Sequence, residues 1–226
     1  MGEDGAPVSE YNGNVRVGGP VQTHELAWLM ITKVAVGPMD NNAYLLRCRL
    51  TDEQVLIDAA NDAPTLLNLI GAGGLARVIT THRHGDHWQA LAEIVAKTNA
   101  ITVAGRFDVE GIPVPTTEPV SDGDQIRVGE AQLEVIHLVG HTPGSIALLY
   151  DDPTGAPHLF TGDSLFPGGV GNTHGDPAAF ERLLGDVQTK LFDRLPDETW
   201  VYPGHGADTT LGNERPSLPE WRARGW

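Results

Sequence analysis

Cysteine is nearly absent from this chain, with one residue in 226, Cys48. A lone thiol excludes an intrachain disulfide and any cysteine-rich zinc finger, so a packed core must hold the fold, and a reducing compartment is expected. Basic residues are scarce as well. Lys and Arg number 15 against 30 Asp and Glu, a formal charge of −15. That balance repels phosphate backbones and anionic lipid surfaces, which sets nucleic acid and membranes aside as partners. No run approaches the roughly 20 consecutive apolar residues that a membrane-spanning helix requires. The N-terminal stretch MGEDGAPVSEYNGNV lacks the basic and apolar regions of a secretory signal, so a cytoplasmic setting is expected.

What is present suffices for a sizeable core, and one domain over residues 1–226 is expected, with 1–25 a loosely held extension and 206–226 a C-terminal arm. AWLMITKVAVG (27–37) and NAYLLRCRL (42–50) read as a strand hairpin, and EQVLIDAA (53–60) as a third strand. Leucines at helical spacing followed by glycines predict a helix over 63–74, then a buried strand at 76–81 and a helix over 88–98. Short strands separated by turn residues follow at 101–105, 124–128, 131–138, 145–151 and 157–162. The apolar stripe Phe180, Leu183, Leu184, Val187, Leu191 and Phe192 predicts a helix over 177–195, and TWVYPG (199–204) reads as a last strand. Strands then helices, twice over, predict two mixed sheets packed together with helices outside.

Histidine placement is the chemical signal. THRHGDH (81–87) puts His82, His84, Asp86 and His87 where a buried strand gives way to a helix. In extended backbone side chains alternate, so His82 and His84 can serve one ion while Asp86 and His87 serve a second. Three more candidates follow apolar strands among Gly and Pro: His141 in HTPGS, Asp163 in TGDSLF and His205 in PGHG. Strand-end loops on a rigid sheet are where ligating and catalytic groups collect.

Taken in order, these four motifs resemble the metallo-β-lactamase superfamily of dinuclear metallohydrolases over about residues 28–214. TGDSLFPGGVGNT and YPGHGADTTLGNE are similar to its single-domain glyoxalase II (hydroxyacylglutathione hydrolase)-like branch. The resemblance implies an α/β (α+β) fold, the αββα sandwich. It implies a first metal on His82, His84 and His141, a second on Asp86, His87 and His205, and Asp163 bridging them. Asp58, in LIDAA, matches the family's aspartate that steadies the histidine loop from behind.

The implied cofactors are two divalent metal ions; zinc is expected, and the donor set also suits iron or manganese. The implied reaction is hydrolysis of a small-molecule acyl thioester by a hydroxide shared between the metals, with Asp86 essential to turnover. A lactonase of the same superfamily is one alternative. A persulfide dioxygenase with one iron on His82, His141 and Asp163 is the other. Asp163 stands where β-lactamases of the superfamily carry cysteine, which argues against antibiotic hydrolysis. Ala60 replaces a usual glycine, Asn172 a usual arginine, and Trp88 and Gln89 small residues. Substrate contacts are expected from Asp40, Asn41 and the Gly168–His174 segment, with His174 itself read as a surface residue. Trp88 is expected to wedge the helix start, and His24, His137 and His158 to be structural.

Overall fold

The computed structural model describes residues 11–225; residues 1–10 of the expected extension, and Trp226, lie outside the described residues. Strands β1 (Gln22–Glu25), β2 (Leu29–Val36), β3 (Asn41–Cys48) and β4 (Gln54–Ile57) run antiparallel to one another. Helix α1 (Ala63–Ile70) leads to β5 (Arg77–Thr80), and α2 (Leu91–Thr98) to β6 (Ile101–Gly105) and then β7 (Glu118–Val120). Strands β4 to β7 pair in parallel, completing a seven-stranded sheet in chain order.

The second half supplies β8 (Gln125–Val128), β9 (Ala131–His137), β10 (Ile146–Tyr150) and β11 (His158–Gly162). A short hairpin, β12 (Leu165–Phe166) and β13 (Gly169–Val170), precedes α3 (Pro177–Val187). Then come β14 (Trp200–Pro203), β15 (Thr209–Thr210), α4 (Leu211–Glu214) and α5 (Leu218–Arg224). The six-stranded sheet has the order β15-β14-β11-β10-β9-β8.

Period-two alternation with both faces buried builds the layers. Leu29, Ile31, Leu46, Ile57 and Ile79 face Val135, Leu148, Phe160 and Tyr202 of the other sheet and form the central core. Val34, Val36, Leu45, Leu56 and Val78 point the other way, against Leu66 and Ile70 of α1 and Leu91 and Ile94 of α2. Ile136, Leu149, Leu159 and Val201 turn outward onto Phe180, Leu183, Leu184 and Val187 of α3. The result is the expected αββα sandwich. No helix among the described residues is long and apolar enough to cross a membrane.

Several element ends differ from the sequence reading for local reasons. The α2 helix starts at Leu91 because the Gln89 and Ala90 N–H groups bond back to the carbonyls of Ala60 and Ala59. Asp58 ends the third strand at φ 58°, a left-handed value unusual for a side-chain-bearing residue. Within 11–25, Tyr11 donates to Asp208 Oδ2 at 2.6 Å and β1 pairs with β2, so this stretch is built into the sandwich.

Candidate metal centre

The expected ligands leave the C-terminal ends of β5, β9, β11 and β14, four strands drawn from both sheets, and they converge at one edge of the sandwich. His84 Nδ1 lies 3.0 Å from His141 Nε2, which lies 3.2 Å from His82 Nε2. Asp86 Oδ2 lies 3.4 Å from His87 Nε2 and 3.2 Å from His205 Nε2. The Asp163 carboxylate stands between these groups. Its Oδ1 is 3.3 Å from His87, and its Oδ2 is 3.6, 3.7 and 3.9 Å from His205, His141 and His82. Gly204 makes this approach possible, since a Cβ there would overlap the Asp163 carboxylate and crowd His87.

The hydrogen bonds behind the imidazoles set their tautomers. His141 Nδ1–H donates to the Asn172 carbonyl at 2.8 Å, His205 Nδ1–H to the Met39 carbonyl at 3.0 Å, and His87 Nδ1–H to Asp58 Oδ2 at 2.8 Å. Thr81 Oγ1 donates to Asp58 Oδ2 at 2.8 Å, so it accepts from His82 Nδ1–H at 3.1 Å. In its neutral form each of these four rings presents an Nε2 lone pair, the tautomer that outer hydrogen bonds select in ligating histidines. His84 differs and presents Nδ1.

Two atoms in this cluster, His87 Nε2 and Asp163 Oδ1, are buried without a hydrogen-bond partner. Burying polar atoms unpaired is costly, and a cation among them removes the cost. The electrostatics agree. Burial, with other imidazoles nearby, holds His82 well below the ordinary imidazole range, and burial lowers His84 and His141 as well. Burial opposes charge on Asp163, yet His87, His82 and His205 override it and keep the carboxyl well below the usual carboxylate range. Around His87 the Asp58 and Asp163 carboxylates outweigh burial and favour positive charge at the ring. Three groups of imidazoles and carboxylates result, each with ligand atoms within 4.8 Å of one another: His82, His84 and His141; His82, His87 and Asp163; Asp86, His87 and His205. The donor set therefore fits divalent metal ions.

Two buried carboxylates brace the loops. Asp58 accepts from Thr81 N–H and Thr81 Oγ1, both at 2.8 Å, as well as from His87. Asp108 joins the two loops of the first cluster: it accepts from Arg83 N–H at 3.0 Å, Thr142 Oγ1 at 2.6 Å and Gly144 N–H at 2.8 Å. The His205 loop is fixed from the other side. Tyr44 Oη and Asn42 Nδ2 donate to the Pro203 carbonyl, and Asn42 and Lys33 donate to the Gly206 carbonyl at 2.9 and 2.8 Å. Lys33 is fully buried and also pairs with Asp208 Oδ1 at 2.6 Å.

Residues 36–205 match the sequence profile of the Metallo-beta-lactamase superfamily. The chain belongs to this superfamily. A relative named hydroxyacylglutathione hydrolase, from Fuscovulum blasticum, is 35% identical over 181 residues, 79% of this chain and 67% of that protein. The chain spans 62–67% of the length of three such hydrolases that it matches. Among solved structures, ETHE1 from Myxococcus xanthus aligns with a TM-score of 0.74 at 29% identity, covering 85% of this chain and 84% of that one. TTHA1623, solved in a di-iron-bound form, aligns with a TM-score of 0.69 at 32% identity, covering 83% and 98%.

All seven expected ligands are brought together, with Asp58 behind them. Asn41, expected to touch substrate, is instead buried, and its Nδ2 donates to Asp86 Oδ2 at 2.9 Å. Trp88 packs beside α1 and α2 and donates from Nε1 to the Arg83 carbonyl at 2.9 Å. His174 is exposed, with its ring 6.0 Å from that of His84. His24 and His158 both bond Tyr202 Oη at 2.9 Å, and His137 Nε2–H donates to the Pro143 carbonyl at 2.8 Å. Sequence reasoning missed Asp108, Lys33 and Asp208.

Proposed function

We propose that the protein is a dinuclear metal-dependent hydrolase of small acyl thioesters, of the hydroxyacylglutathione hydrolase type. The observation that carries this reading is the pair of ligand sets meeting at Asp163, with His87 Nε2 and Asp163 Oδ1 buried and unpartnered between them. His82, His84 and His141 would hold one ion, Asp86, His87 and His205 the other, and Asp163 both. A pair of divalent ions supplies a water with a pKa near 7 and an electrophile for a carbonyl oxygen, on the order of several kcal/mol of transition-state stabilisation.

The chain's own part is orientation. Asn41 aims the Asp86 carboxylate, the Nδ1–H bonds turn four rings toward the centre, and Asp58 and Asp108 keep the two loops in register. No serine or cysteine nucleophile stands among the clustered side chains, and a thiolate leaves without a general acid because its pKa is only about 8.5. The names of the curated relatives support the thioester as substrate.

A second reading, a mononuclear-iron persulfide dioxygenase, draws on the approach of His82, His141 and Asp163, a two-histidine, one-carboxylate set. The complete second set of Asp86, His87 and His205 favours the hydrolase. The test is turnover of S-lactoyl and other acyl thiols by metal-loaded protein, set beside lactones and beside oxygen uptake with a persulfide. Thioester turnover that Asp86→Ala abolishes without unfolding the chain is expected. Oxygen uptake without thioester cleavage overturns the hydrolase.

A further inference from the structure

Next to Asp163 and His205 a cavity of about 460 Å³ opens between two loops, within the range that holds small organic ligands. One wall is the β12–β13 hairpin, which brings Phe166 and Pro167 to the cavity; the other is Gly206 and Ala207, directly after His205. Apart from the two expected metal ligands, no side chain lining it carries a polar atom. The groove beside His141 is a contrast, since Arg83, Thr142, Thr173, Asp176 and Arg182 line it.

Both walls are built to stay in place. At the hairpin tip, where Gly168 takes φ 88°, its N–H donates to Glu214 Oε2 at 2.8 Å, and Glu214 Oε1 accepts from Thr209 Oγ1 at 2.7 Å. Arg224 donates to the Gly168 carbonyl at 3.0 Å. On the opposite wall the Gly206 carbonyl accepts from buried Lys33 and Asn42. A preformed apolar recess rewards hydrocarbon with little ordering cost, whereas a charged group placed there loses its hydration with no side chain but the two expected metal ligands to replace it.

We propose that this cavity takes a hydrocarbon group attached to the scissile bond, so that the substrates are thioesters with an apolar acyl or an apolar thiol portion beside the metal centre. The proposal rests on the hydrolase reading and narrows it. Hydrocarbon entering the recess raises kcat/KM by about fourfold per buried methylene until the space is filled.

The experiment measures kcat/KM of the metal-loaded full chain along two series: acetyl, butyryl and hexanoyl groups on one thiol, and lengthening alkyl thiols under one acyl group. A rise along one series supports the proposal and identifies which side of the bond occupies the cavity. Flat or falling values along both overturn it. Ala207→Leu, which fills the space, is expected to remove the rise while metal content per chain stays at the wild-type level, and Phe166→Ala, on the other wall, to weaken it. Calorimetric binding of acetate, butyrate and hexanoate, and of short alkanethiols, reads the same cavity without turnover. Affinity that climbs with length in a protein that hydrolyses no thioester sinks the hydrolase and keeps the apolar site. Thioester turnover indifferent to length sinks the apolar site alone.

Discussion

Replacing Asp108 by asparagine separates the bracing of the first ligand set from the stability of the fold. The carboxylate is fully buried and accepts three hydrogen bonds: one from the backbone between His82 and His84, and two from the loop that carries His141. Asparagine keeps the shape but offers one acceptor oxygen and turns an NH₂ toward a donor. At least one buried donor then goes unpaired, at about 1–3 kcal/mol. For a chain of this size that lowers the melting temperature by roughly 2–12 °C. Groups that orient metal ligands from behind are worth about 10–100-fold in affinity. Competition against a chromogenic chelator should therefore show one of two metals in Asp108→Asn bound about 10–100-fold more weakly, and the other nearly unchanged. A lower melting temperature with both affinities intact would refute the reasoning, because Asp108 would then brace the fold without positioning the centre.

Lys33→Met leaves Asp208 buried without its cation, and urea unfolding should show about 3–5 kcal/mol lost; a loss below about 1 kcal/mol would contradict the burial of this pair. Burial, with His24 adding to it, pulls His158 from 6.5 down to about 4. The unfolded chain thus binds a proton before the folded one does. Stability from this residue is intact above pH 6.5 and falls by about 3 kcal/mol as pH drops toward 4. In denaturant melts against pH, His158→Gln should remove that part of the slope, and an unchanged slope would locate the proton uptake elsewhere.

The candidate ligands are legible in the sequence because each sits in a short motif at a strand end, where local spacing carries the chemistry. Their supports are not, because they act across the chain. Asp108 lies 25 and 34 positions from Arg83 and Thr142, and Asp208 lies 175 from Lys33. Half of the latter pair has a local signature, since Lys33 shares the inward period-two face of Leu29 and Ile31 and so calls for a buried partner. Strands buried on both faces, such as β10 with Ile146, Leu148 and Tyr150, read as apolar runs. The short polar β1 (QTHE) and proline-bearing β7 (EPV) carry no such pattern and form only because a neighbouring strand offers its edge. Asn41 reads as an exposed turn residue, yet its isolated bridge to His205 joins the two sheets at the centre and buries it.

A two-metal centre is tested directly by an elemental count of metal per chain in protein purified without chelators and then supplied with zinc, iron or manganese. Two ions per chain are predicted, falling to one when His205 is replaced by alanine. One ion or none after reconstitution, with His205→Ala no different from wild type, would contradict the account.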